Sequence, residues 1–322
     1  MLVMRGGALG DFILTLPAIA ALRQRCPRAR IELAAHEKHA QLAMITGIID
    51  SIKPLDSAGM AFYFQDESPL PPAEQEYIRS FDLIISFLHD PDAVLRRNLV
   101  SSGGKRVISV SPLVKKGHAA DHFMAAIKDA FRRVSPAINA PEDPPVLPAW
   151  PDYLKKNARQ RLRHATGGKD VFIIHPGSGS PAKNWAGEKY AALAKRIADE
   201  TELAPLVIGG EADGEAVASI LKLFPECKTL VNPPLMETAS VLSAARGFAG
   251  NDSGVTHLAA ALGIPVVAIF GPTDPAVWSP RGKNVLIMRG QASGAERFRG
   301  ITVESVFSAL KTKLFSPVPA AD

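Results

Sequence analysis

Short apolar runs alternate along the chain with longer stretches in which apolar positions recur at helical spacing. Leu2 to Met4, Ile31 to Ala35, Leu83 to Phe87 and Arg106 to Val110 read as strands; Phe12 to Arg25 and Asp121 to Val134 read as helices. The alternation stops at a proline-rich stretch, SPAINAPEDPPVLPAWP over 135–151, and then restarts. Val171 to His175, Pro205 to Ile208, Gly247 to Ala249 and Pro265 to Phe270 read as further strands. Glu188 to Thr201, Glu211 to Leu223, Met236 to Ala244 and Thr256 to Leu262 read as the helices between them, and Val303 to Phe315 as a last amphipathic helix. Such alternation predicts an α/β protein with parallel sheets covered by helices on both faces. The proline density predicts a stiff interdomain linker. The expected organisation is two doubly wound domains, 1–147 and 148–302, with 303–322 a C-terminal helix and tail packing back on the first.

The bulk numbers leave that picture in place. A chain of 322 residues is long for one core and comfortable for two. Cys26 and Cys227 lie far apart without metal-like spacing, which points to a reducing compartment. The formal net charge of +5 suits an anionic partner, although a solvated basic surface explains it as well. The apolar N-terminus is not a signal peptide on this reading: Arg5 and Asp11 interrupt it, and Gly6, Gly7 and Gly10 place a turn in its middle. No uninterrupted apolar run approaches the roughly 18 residues of a membrane span.

In open α/β sheets ligands bind beyond the carboxyl ends of the strands, so the turns after the strands carry the candidate chemistry. The first, MRGGALGD (4–11), is glycine-rich but has Arg5 where a dinucleotide fingerprint needs glycine, so NAD is discounted. Its Asp11 is either a helix N-cap or a general base. The second, HPGSGSPAKNW (175–185), offers backbone N–H groups and hydroxyls at Gly177, Ser178, Gly179 and Ser180, with Lys183 as a cation; this combination suits a phosphate. The third, VIGGEAD (207–213), sets Glu211 after a glycine pair, where an acid can accept ribose hydroxyls or simply favour a helix start. The fourth, NDSGVTH (251–257), puts Asp252, Ser253, Gly254, Val255 and His257 at the beginning of a helix, whose free N–H groups and dipole make an anion site. Phe270 to Asp274, FGPTD, follows the next strand as a further wall.

Taken in order, RGGALGDFILTLPAIAALR, HPGSGSPAKNW and NDSGVTHLAAALGIPVVAIFGPTDP resemble glycosyltransferase family 9, the ADP-heptose:lipopolysaccharide heptosyltransferases. The resemblance spans about residues 2–275, with no matching motif between 55 and 150. It implies a GT-B architecture of two Rossmann-like domains facing across a cleft, the N-terminal one binding acceptor and the C-terminal one binding the nucleotide sugar. It implies metal-independent, inverting transfer with no cofactor beyond the donor, most simply ADP-heptose. Asp11 matches the family's catalytic base and Lys183 the lysine that meets the donor diphosphate. Ser178 and Gly179, Glu211, Asp252, Ser253, Gly254, Val255 and His257 match donor-binding positions, and Pro233 or Pro234 would lie near the base. Two departures stand out: Gly6-Gly7-Ala8 replaces the usual serines of the first motif, and the middle loop lacks paired threonines.

The partners implied are a nucleotide sugar and a lipid-linked or anionic glycan acceptor, in the cytoplasm with peripheral contact at the inner membrane; nucleic acid is not among them. Basic groups in the N-terminal half (Arg23, Arg25, Arg28 and Arg30; Arg96 and Arg97; Lys105 and Arg106; Lys115, Lys116 and His118) suit such an acceptor. The rival readings are a transferase with another nucleotide-sugar donor, an epimerase of the same architecture, and a non-catalytic nucleotide-sugar-binding protein.

Overall fold

The computed structural model describes residues 1–65, 69–134, 147, 149–291 and 296–315. The linker expected over 135–151 falls almost wholly outside the described residues, as does the C-terminal tail. The chain divides into two compact units, Met1–Pro148 and Ala149–Asp322.

The first unit runs β1 (Leu2–Arg5), α1 (Leu9–Arg25), β2 (Glu32–Ala35), α2 (Glu37–Ile45), β3 (Ser51–Pro54), α3 (Ala58–Ala61), α4 (Pro72–Arg79), β4 (Ile84–Ser86), α5 (Val94–Ser101), β5 (Val107–Ser109) and α6 (Ala119–Val134). Its sheet is parallel throughout, in the order β3-β2-β1-β4-β5. Every residue of α1 from Phe12 to Leu22 is buried, with α6 and α2 packed against the helix so that it does not lie on the surface. Leu2, Met4, Ala34 and Ile84 pack with Ile78, Leu95 and Leu99 to form one hydrophobic cluster of this unit.

The second unit runs α7 (Asp152–Ala165), β6 (Val171–His175), α8 (Gly187–Glu200), β7 (Ala204–Gly209), α9 (Gly214–Leu223), β8 (Lys228–Val231), α10 (Leu235–Ala244), β9 (Gly247–Asn251), α11 (Gly254–Ala261), β10 (Val266–Phe270), α12 (Pro275–Trp278), β11 (Val285–Arg289) and α13 (Val303–Phe315). Its six parallel strands lie in the order β11-β10-β9-β6-β7-β8. β6 and β10 are wholly buried, as strands covered on both faces must be. Phe172, Ile174, Val267 and Ile269 share a core with Tyr190, Leu193 and Ile197 of α8. Val306, Phe307 and Leu310 of α13 fill the same core. Helix α13 lies against α8 and β10 of its own unit, where its apolar stripe completes that core; the rest of the expected C-terminal segment, 316–322, lies outside the described residues.

Both sheets start in the middle and grow outward in two directions, so strand order reverses between β1 and β4 in one and between β6 and β9 in the other. That reversal opens a crevice at the carboxyl edge of a doubly wound sheet. Two Rossmann-like parallel-sheet units of this kind are what the GT-B architecture comprises.

Candidate active site

The reversal point of the second sheet is organised by one amide. Asn251 ends β9 and is fully buried. Its Oδ1 accepts from the Trp185 backbone N–H and from the Tyr190 hydroxyl, both at 2.9 Å. Its Nδ2 donates to the Pro176 carbonyl at 2.7 Å. One side chain from β9 thus holds both ends of the loop that leaves β6, using donor and acceptor in full. The Trp185 ring packs edge-on against Tyr190 beneath that loop.

A second buried polar chain ties three strand-end turns together. The Ser253 hydroxyl caps α11 by accepting from the Thr256 N–H, as N-cap serines do. The Thr256 hydroxyl donates to the Asn251 carbonyl. Ser253 Oγ lies 3.4 Å from His175 Nδ1, and His175 Nε2 lies 3.2 Å from Asp213 Oδ2. The same Asp213 oxygen accepts from the Gly210 N–H at 2.7 Å. Burial drives the Asp213 carboxyl upward, but His175 and the Gly210 N–H outweigh it and leave the group below its ordinary value. The turns after β6, β7 and β9 are therefore one hydrogen-bonded assembly. Gly177 is obligatory within it, since a Cβ there would stand 1.7 Å from Asp213 Oδ1. Gly177→Ala is expected to break the His175–Asp213 pair and to cost about 1–3 kcal/mol, the usual range for overpacking; thermal or urea unfolding of the variant checks this.

At the mouth of this assembly lies a cation-carboxylate pair. Lys183 ends a short 3₁₀ turn, Pro181–Lys183, and its Nζ donates to Asp252 Oδ2 at 2.8 Å. His257 Nε2 lies 3.9 Å from Asp252 Oδ1, and His257 Nδ1 is buried without a partner. Burial again pulls the Asp252 carboxyl upward, and His257, Lys183 and Thr273 together hold it below the usual carboxylate range. The Asp252 side chain is 9% exposed and that of Lys183 is 35% exposed, so the cation reaches solvent while the acid sits behind it. Helix geometry leaves the Gly254 and Val255 N–H groups without intrahelical acceptors beside this pair. Positive charge and free donors thus converge on one spot.

Not every expected donor residue joins that cluster. The Ser178 hydroxyl is engaged inside its own loop, 2.7 Å from both the Ser180 carbonyl and Asn184 Oδ1. A Cβ at Gly179 would meet nothing within 4 Å, so the loop tip is open. Glu211 begins the 3₁₀ turn Glu211–Asp213 and is exposed. Sequence reasoning does not single out Asn251, His175 or Asp213. The available signal is slight: an Asn and a His close strands that are otherwise apolar or glycine, GFAGN and VFIIH.

In the first unit α1 begins at Leu9 rather than Phe12, and its N-cap is Ala8, with no side-chain capping bond. Asp11 is therefore the third helical residue, not the cap. Its side chain is 36% exposed and lies 4.0 Å from Arg5 NH2. The expected basic groups are partly structural. Arg23 is consumed by Asp50 and by the carbonyls of Pro27, Ala29 and Ile48, and Lys105 pairs with Asp82 at 2.9 Å.

These features can be set beside known proteins. Lipopolysaccharide heptosyltransferase 2 of Escherichia coli K12 is 36% identical over 115 residues, 34% of this chain and 33% of the relative. The aligned part is thus about a third of that relative's length. Lipopolysaccharide heptosyltransferase 1 of the same strain is 23% identical over 297 residues, 90% of this chain and 93% of the relative. The solved structure of E. coli ADP-heptose LPS heptosyltransferase II superposes with a TM-score of 0.75 at 20% identity, covering 97% of this chain and 98% of that one. The profile described as glycosyltransferase family 9 (heptosyltransferase) matches residues 102–305, which is more than half of the chain and includes the loops after β6, β7 and β9. The chain belongs to glycosyltransferase family 9.

Proposed function

We propose that the chain transfers heptose from ADP-heptose to a lipopolysaccharide-core or related glycan acceptor, with inversion and without a metal. The observation that carries this reading is the Lys183–Asp252 pair at the amino end of α11. A diphosphate leaving group gains negative charge as its bond to the anomeric carbon breaks. Lys183 and the N–H groups of Gly254 and Val255 supply positive charge and donors where that charge would develop, the preorganised stabilisation that such a departure needs. Asp252 would orient Lys183 and accept a sugar hydroxyl, and exposed Glu211 would accept the ribose. Asp11 would take the proton of the acceptor hydroxyl as that oxygen attacks the anomeric carbon; the bonding pair leaves with the ADP. The choice of heptose and of a lipopolysaccharide acceptor follows the relatives' names. A lipid-linked acceptor would bring the enzyme to a membrane surface, and among the described residues no helix is long and apolar enough to cross one. Among those same residues no group of three or more His, Cys, Asp or Glu could hold a metal.

The test is a panel of ADP- and UDP-sugars, each with delipidated and intact glycan acceptors, with and without chelator. Acceptor-dependent release of ADP from ADP-heptose, unchanged by chelator, is the expected result. Turnover confined to another nucleotide sugar, or lost on chelation, would overturn the reading.

A further inference from the structure

The first glycine turn carries an arginine where a dinucleotide-binding loop would carry glycine, and the proposed chemistry gives that residue no task. Arg5 closes β1 and is 3% exposed. Its NH1 donates to the Phe87 carbonyl at 3.2 Å, just past β4, and its NH2 donates to the Asp11 backbone carbonyl at 3.1 Å. Its guanidinium carbon stands 4.9 Å from the centre of the Phe123 ring on α6. Its Nε is buried with no partner. A buried guanidinium is costly unless fully paired, and this one is not: the nearest carboxylate oxygen, on Asp11, is 4.0 Å away. A purely structural arginine would be expected to close on that carboxylate. Instead its bonds go to two carbonyls on opposite sides of the sheet's reversal point, the β4 end and the first turn of α1. The turn itself makes room for Asp11: Gly7 has φ +90°, and a Cβ there would stand 3.3 Å from Asp11 Oδ2.

We infer that Arg5 is a positioning residue for Asp11: it clamps the first turn of α1 to the end of β4 so that the carboxylate is presented in one orientation with its oxygens unspent. This inference rests on Asp11 being the base, as proposed above. A guanidinium suits the task because its planar fork reaches two acceptors at once, whereas a lysine offers a single point of attachment. The effect acts on geometry at the reacting proton, where misplacement by about an ångström can cost on the order of 10² in rate.

Steady-state kinetics on the full chain test this with Arg5→Met, Arg5→Lys, Asp11→Asn and the double variants. Arg5→Met is expected to lower kcat by about 10- to 100-fold with donor KM within about twofold, and Arg5→Lys to fall between it and wild type. Because Arg5 acts through Asp11, each double variant is expected to be no slower than Asp11→Asn alone, within about twofold. A merely structural role would make the losses multiply, and that multiplication, or wild-type kcat in Arg5→Met, overturns the inference. If Arg5→Met does not fold, Arg5→Lys and its double variant carry the same comparison. Full turnover in Asp11→Asn is a different result: it removes the base assignment itself.

Discussion

Asp11→Asn is expected to cut kcat by about 10²–10⁴, the usual worth of a general base, while ADP affinity stays within about twofold. The reasoning starts from what the carboxylate does not do. It does not cap α1, since Ala8 occupies that position and no side-chain capping bond is made. Nor is it neutralised by a close partner, since the nearest cation is 4.0 Å away. A third-position helical acid that is 36% exposed, does not cap its helix and meets Arg5 only at 4.0 Å has little structural use, so its replacement by the isosteric amide should leave the fold intact. The amide cannot accept the acceptor's proton, and the loss should appear in turnover rather than in donor binding. Measuring kcat by product formation and ADP affinity by calorimetry separates the two. Unimpaired turnover would take Asp11 out of the mechanism, and a parallel collapse of ADP affinity would show damage beyond the base.

Lys183→Met should lower kcat/KM by about 10²–10³, comparable to losing one preorganised donor to a developing anion. The substitution removes the cation proposed to face the leaving diphosphate and also strips Asp252 of its 2.8 Å partner. An acid at 9% exposure is then left with His257 and Thr273 as its compensating neighbours. The accompanying stability loss should be about 1–2 kcal/mol, the range for a charged hydrogen bond reduced for the exposure of the lysine. Kinetics and thermal unfolding run together decide the case. Lys183→Arg should retain much of the stability while recovering rate only in part, because a planar fork cannot replace a compact ammonium point for point. Unchanged kcat/KM in Lys183→Met would remove Lys183 from leaving-group stabilisation.

Much of this architecture is legible in residue patterns. The buried central strands are plain: Val171 to His175 is expected and found, and Pro265 to Phe270 differs from β10 by one residue. Among the edge strands, β5 falls within the expected Arg106 to Val110, but two others do not announce themselves. Ser51–Pro54 and Lys228–Val231 are short, half-exposed to exposed and carry a lysine each, so they show no apolar run. Helix α7 buries only Ala158 fully and hence lacks the stripe that helical periodicity needs. β9 extends to Asn251 rather than stopping at Ala249, because pairing with β6 and β10 holds Gly250 and Asn251 in line despite their poor strand preference. At the site, glycine turns and the Asp-Ser-Gly helix start are local signals and can be read directly. The bonds that weld those turns together join residues far apart in sequence, such as Asn251 with Trp185 and His175 with Asp213, and no local pattern announces them.

The double grip of Asn251 on the loop between Pro176 and Trp185 has an evolutionary consequence. Because the stem of that loop is fastened from a different strand, its outermost residues, Gly179 to Ala182, are relieved of the duty of holding its shape. They are open to change, and with them the contour that the proposed reaction would offer to an incoming sugar. If the proposed donor site is right, laboratory exchange of that short crest is the natural way to retune which activated sugar is accepted while the scaffold beneath stays as it is.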